Sequence, residues 1–261
     1  MNRIDRHFRD ARDHGPLVMP FITAGFPDLD VTEQVVRGCA DAGIRIMEIG
    51  VPFSDPIADG PVIAASMHDA LQRGTTPRAV LDRLAAIRPD IDLGLVLMLS
   101  HSIVARLGGA AFVHQAADAG IDGLIVPDID LHAADALLPA VDDRDLAFAL
   151  LVAPTTSPTR LEQICARCRG FVYLLARAGI TGERDDAPDI AASAAAVRAV
   201  TSLPVAAGFG ISRPEHVRAA TRHADAAIVG SAIVRTMRDA ADPTAAALDL
   251  IATLTEDAAA R

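Results

Sequence analysis

The 261-residue chain carries 34 acidic against 24 basic residues, a net charge of -10 and a pI near 5.2, which argues against nucleic acid or an anionic membrane surface as partner. Half of it (51%) is apolar but only 3% is aromatic, with no Trp, so the core must be assembled from Ala, Val, Leu and Ile, as suits helices layered on parallel strands. Every basic residue is Arg; without Lys, Schiff-base chemistry of the lysine-aldolase kind is excluded, and any aldol-type cleavage must run on acids and bases.

The charged N-terminus, Met1 to Asp10, has no apolar segment of signal-peptide length. No later run reaches the roughly 18 apolar residues of a membrane span, so a cytoplasmic protein is expected. An amphipathic turn over residues 3–12 opens the pattern. Strand-length apolar runs then alternate with Ala/Arg/Asp-rich stretches of helical period. The strand at 17–23 precedes a helix at 31–42, and the strand at 44–49 precedes an acidic loop, an added helix at 61–73 and a helix at 77–87. Strands at 93–98, 123–126 and 146–152 alternate with helices at 110–119, 131–141 and 158–168. Strands at 171–176, 204–207 and 226–229 follow, with helices at 189–200, 214–221 and 243–258. Thr76-Pro77, Ser157-Pro158 and Asp242-Pro243 read as helix starts, a capping side chain before a first-turn Pro. Eight such units predict an α/β fold, one closed parallel (β/α)8 barrel over residues 1–261, with the 3–12 segment plugging its bottom. An open doubly wound sheet is the fallback. Cys165-Ala166-Arg167-Cys168 has no second cysteine pair or His cluster to complete a metal or redox site, and reads as a helix-face pair.

In such a barrel the chemistry sits at the C-terminal ends of the strands. Glu48 ends the second strand, and Asp55 and Asp59 follow in a Pro/Gly-punctuated loop. A carboxyl in a mouth lined by Ile and Val is partly desolvated and can serve as a general acid and base near neutral pH, while Asp59, held by the turn at Gly60-Pro61, could stay an ionised acceptor. The bland alternative pairs Glu48 with a core Arg and leaves the two Asp as turn residues. Across the mouth stand three glycine-bearing loops, at residues 177–184, at Gly208-Phe209-Gly210-Ile211-Ser212 and at Gly230-Ser231-Ala232. Such loops let backbone N–H groups approach an anion, and with Ser231 as cap of the helix that follows they point to a phosphorylated ligand.

The run Glu48-Ile49-Gly50-Val51-Pro52-Phe53-Ser54-Asp55-Pro56-Ile57-Ala58-Asp59-Gly60-Pro61 resembles the signature of the tryptophan synthase alpha subunit. So do Pro20 to Asp28, Tyr173 to Gly182, Gly208 to Ser212 and Val229 to Val234, in the same order. The resemblance implies retro-aldol cleavage of indole-3-glycerol phosphate to indole and glyceraldehyde 3-phosphate, with no cofactor and no metal. Glu48 matches the family's general acid/base, and Asp59 the carboxylate that holds the indole N–H. Phe21, Ile125 and Tyr173 would border the indole; Gly182, Gly210, Gly230 and Ser231 match the phosphate cradle, with Phe209 beside it. Thr181 falls in a loop that in the family closes over the site. The implied partner is a beta subunit in an alpha2beta2 assembly that receives the indole.

Two loops depart from the family pattern. After the third strand Leu97-Met98-Leu99-Ser100-His101-Ser102 stands where the family has a Tyr and an Asn, and after the fourth Asp128-Ile129-Asp130-Leu131-His132 replaces an Asp-Leu-Pro run. Both regions face the partner in the family, whereas Asp55-Pro56, also partner-facing, is kept. The alternatives left open are a stand-alone or specialised lyase releasing free indole, a non-catalytic activator of a beta-type enzyme, and a phosphate-binding barrel isomerase. Retention of Glu48 and Asp59 speaks against the last two. Adjacent residues cannot face one another as a Ser–His dyad, so His101 beside Ser100 and Ser102 reads as a surface or interface histidine.

Overall fold

A computed structural model of the chain describes residues 2–56, 59–176 and 187–259. Nine parallel strands form one barrel sheet, in the order β5-β4-β3-β2-β1-β9-β8-β7-β6, ringed by helices. The strands are β1 Leu17–Thr23, β2 Ile46–Gly50, β3 Gly94–Met98, β4 Gly123–Ile125, β5 Ala147–Ala149, β6 Leu151–Val152, β7 Val172–Leu175, β8 Val205–Gly208 and β9 Ala226–Val229. The single fifth strand expected at 146–152 is two short pieces, because Phe148 exchanges both backbone hydrogen bonds with Arg169 in an antiparallel bridge. Beyond it the Leu150 carbonyl accepts from Tyr173 N, and β6 pairs with β7 while β5 pairs with β4. Each piece thus serves one neighbour, and the two together close the barrel.

The helices are α1 Arg3–His14, α2 Leu29–Asp41, α3 Pro61–Gln72, α4 Pro77–Ile87, α5 His101–Arg106, α6 Ala110–Asp118, α7 Leu131–Asp143, α8 Pro158–Cys165, α9 Ala191–Val200, α10 Pro214–Thr221, α11 Ser231–Asp239 and α12 Pro243–Ala259. None of the described helices is long and apolar enough to cross a membrane. The capping side chains read from sequence accept as expected: Thr76 from Ala79 N, Ser157 from Arg160 N and Asp242 from Ala245 N. Helix α8 stops at Cys165, so Cys168 lies beyond it; both thiols are buried, and burial pushes the Cys168 pKa up to about 12, away from reactive thiolate chemistry. Helix α5 was not expected as an element: Ser100 caps it, and the Asp128 carboxylate, from the loop after β4, accepts from His101 N at 2.7 Å.

Burial on both faces explains why the strands read as continuous apolar runs rather than alternating ones. Helix α1 does plug the bottom: Ile4 is fully buried, close to the ends where Gly94 and Gly170 leave room, and the Phe8 ring packs 5.6 Å from Phe171. Beside it the buried Asp122 carboxylate accepts from Leu95 N at 2.9 Å, Arg3 at 2.9 Å and Arg88 at 3.3 Å, tying α1, α4's end and β3 together. Removing one partner of a buried charged network leaves the other uncompensated, at a cost of about 3–5 kcal/mol. Asp122→Ala should therefore lower the unfolding free energy by about 3 kcal/mol in a denaturant titration and leave kcat of the folded protein unchanged; an effect under about 1 kcal/mol would show that the network contributes little.

Candidate active site

The C-terminal ends of the strands converge on a pocket lined by Phe21, Glu48, Asp59, Tyr173, Gly210 and Ser231, with Phe209 and Gly230 beside them. The structure thus gathers the residues singled out from five separate stretches of sequence. Thr181 and Gly182 lie outside the described residues. Ile125 is fully buried in β4, in register with Met98, and is not on the pocket wall. Ile63, Met98, Ile211 and Ile228 also line the pocket and were missed. The signal available for Ile211 was its place directly after Gly210; Ile63, two residues into α3, carried no distinguishing mark.

Glu48 sits in β2 opposite Phe21 of β1 and Val96 of β3, so the strand alternation aims it into the barrel mouth. Its side chain is fully buried and neither carboxyl oxygen has a hydrogen-bond partner, so the pairing with a core Arg is absent. Burial, with the Asp59 charge adding to it, pushes the Glu48 pKa up to about 8, and the carboxyl is protonated at pH 7.

Asp59 is positioned by backbone. Its N–H donates to the Pro56 carbonyl at 3.0 Å, Gly60 is the N-cap of α3 and Pro61 its first residue. The helix is anchored in turn by two buried hydroxyls, Thr23 and Ser66, 2.6 Å apart, with Ser66 also donating to the Ile63 carbonyl. Burial raises the Asp59 pKa to about 6, which still leaves it mostly ionised at pH 7. Environment therefore separates the two acids into a proton holder and an anion.

The aromatic wall is tightly fitted. A Cβ at Gly50 would lie 2.5 Å from the Phe21 ring, and one at Gly208 would lie 2.3 Å from Tyr173 Oη, so both glycines are required by their neighbours' rings. Burial, followed by the nearby Glu48 and Asp59, raises the Tyr173 pKa, keeping its hydroxyl neutral. Tyr173 packs edge-on against Phe209 at 6.1 Å. Phe209 and Gly210 both have positive φ, +77° and +79°. For Phe209 that is a strained conformation held by its surroundings. The cap of α11 is Gly230, and Ser231 is its first helical residue, a correction to the expectation that Ser231 would be the cap. With glycine at the cap and no side-chain oxygen accepting there, the free N–H groups of the first turn face the pocket end of the helix.

Fold and site define the class: a (β/α)8 barrel with a pocket at the C-terminal ends of β1 to β3 and β7 to β9. A family profile described as tryptophan synthase alpha chain matches residues 8–260. The tryptophan synthase alpha chains of Gloeobacter violaceus and Acaryochloris marina are 44% identical over 225 residues and 41% over 242, covering 85% and 92% of this chain and 82% and 91% of theirs. Among solved structures, Mycobacterium tuberculosis tryptophan synthase superposes with a TM-score of 0.90 at 30% identity, covering 98% of both chains. The alpha subunit from Legionella pneumophila gives 0.88 at 29%, also covering 98% of each. The chain belongs to the tryptophan synthase alpha chain family, whose reaction is the cleavage of indole-3-glycerol phosphate, a lyase reaction.

A carboxyl whose folded pKa is raised opposes folding as pH rises: the cost is absent below its unfolded value near 4.5 and complete above about 8, on the order of 4–5 kcal/mol. Glu48→Gln should thus melt several degrees above the wild type at pH 8.5 and close to it at pH 4.5. An equal difference at both pH values would contradict the buried, unpartnered carboxyl.

Proposed function

We propose that Glu48 and Asp59 carry out the retro-aldol cleavage as a proton donor and acceptor and a fixed anion. Glu48 gives its proton to carbon 3 of the indole ring, producing a cationic indolenine whose N–H is held by Asp59. The Glu48 carboxylate then assists removal of the side-chain hydroxyl proton. The C–O bond becomes the aldehyde carbonyl of glyceraldehyde 3-phosphate, the carbon–carbon bond breaks, and its electron pair restores the aromatic ring of indole. Glu48 ends the cycle protonated. The observation that carries this reading is the unpartnered, fully buried Glu48 beside a second carboxyl of lower pKa.

Phe21 and Tyr173 flank the aromatic ring. Gly210, Gly230 and Ser231 supply backbone N–H groups for the phosphate at the start of α11, with Phe209 holding the loop, and Thr181 and Gly182 complete the binding set. A beta-type subunit in an alpha2beta2 assembly takes up the indole; the exposed Asp55, kept in the partner-facing segment, supports that partnership. The reaction is biosynthetic and the enzyme is placed in the cytoplasm.

Protonated Glu48 and ionised Asp59 coexist between about pH 6 and pH 8. Indole release from indole-3-glycerol phosphate should follow a bell over that window, losing its acid limb as Asp59 protonates and its alkaline limb as Glu48 loses its proton. Glu48→Gln should lower turnover about 10²–10⁴-fold, and adding a cognate beta subunit should raise the wild-type rate. Turnover by Glu48→Gln within tenfold of wild type would overturn the assigned role, and a rate indifferent to the beta subunit would favour the stand-alone lyase.

A further inference from the structure

A second cavity adjoins the active pocket and shares two walls with it, Asp59 and Met98. Its other walls include the buried Val51, Met67 and Leu99, with Ser100 and Asp128 at one side. Those two polar groups are satisfied by one another and by α5: Ser100 Oγ donates to Asp128 at 2.7 Å and accepts from Ser102 N at 3.2 Å, and Asp128 also accepts from His101 N. Asp55 also lines the cavity, exposed to water and accepting from Ser54 Oγ at 2.6 Å, so an apolar guest against Val51, Met67 and Leu99 would leave these polar groups bonded and would remove apolar wall from water. One divider, Met98, is an unbranched thioether that adapts to what lies against it.

The cavity's relation to the substrate follows from the proposed binding mode, on which this inference rests. Asp59 holds the ring N–H, so the space behind Asp59 and Met98 lies beyond the ring edge that carries the N–H and carbon 7. Carbon 4, on the edge beside the reacting carbon 3, points away from Asp59 and so away from this space. We propose that the second cavity is an annex of the substrate site that accepts an apolar substituent, a halogen or a methyl group, on the carbon 7 side of the indole. The chain is then a lyase for ring-substituted as well as unsubstituted indole-3-glycerol phosphates, and Leu99, Met67 and Val51 determine that specificity. Ser100 contributes by being small: a large side chain at this place would fill the annex.

The test compares kcat/KM for indole-3-glycerol phosphate and its 7-chloro and 4-chloro derivatives, with wild type and with two independent cavity-filling variants, Leu99→Phe and Met67→Phe. The wild type should cleave the 7-chloro compound within about tenfold of the parent and the 4-chloro compound at least a further tenfold more slowly. In each filled variant the 7-chloro to parent ratio should drop at least about tenfold, the discrimination that one methyl-sized group supports in an apolar pocket. A wild type that rejects the 7-chloro compound by more than tenfold, or treats both chloro compounds alike, overturns the annex; so does an unchanged ratio in the filled variants. If one variant does not fold the other carries the comparison, and the 7-chloro against 4-chloro contrast needs neither. Failure to cleave the parent compound would instead overturn the lyase reading itself.

Discussion

A carboxyl group held dry and unpartnered in the mouth of a parallel barrel is the constraint from which the site follows. Moving Glu48 out of water disfavours its charged form, and the ionised Asp59 nearby adds to that penalty. The result is an acid that still has its proton at neutral pH, in a chain that has no Lys and so no amine to perform the same cleavage through an imine. The barrel sustains this because the surrounding core is large and the strands are buried on both faces. A function-bearing residue that opposes folding is tolerated where the rest of the fold exceeds its cost.

The opposite side of the mouth is arranged by backbone instead of charge. Gly208 makes room for Tyr173, Gly50 for Phe21, and the strained Phe209 and Gly210 line the same pocket as Gly230 and Ser231 at the start of α11. The net charge of the whole chain is strongly negative, so an anionic substrate has to be drawn by local N–H groups and a helix terminus. In the proposed mechanism the two halves of the mouth divide the work, with proton transfer on the β2 side and anion recognition on the β8 and β9 side.

Much of this was legible in the sequence where the signal is local. Cap residues such as Thr76, Ser157 and Asp242 mark helix starts because the accepting oxygen and the N–H it receives lie three residues apart. Glu48 was visible because a charge at the end of an apolar strand is rare. Helix α5 was not: it is six residues long, too short for periodicity, and its first N–H is held by Asp128, 27 residues away in sequence. The break at Leu150 was hidden for a similar reason, since Arg169 from the approach to β7 creates it. Ile63 and Ile228 look like any core isoleucine until the fold shows that they end at the pocket.

The loops after β3 and β4, which depart from the family pattern, are not simply loosened. Ser100, Ser102, His101 and Asp128 form a closed hydrogen-bonded set, and the space in front of them is apolar. In the proposed mechanism the two carboxyls keep their chemistry whatever the wall beside Asp59 is made of, so that wall is free to set specificity. The whole account turns on the protonation of one group. Difference infrared spectroscopy of the wild type against Glu48→Gln, recorded across pH 5 to 10, should show a protonated carboxyl band assigned to Glu48 at pH 7 that disappears with a midpoint near 8. A Glu48 already ionised at pH 7 would contradict it.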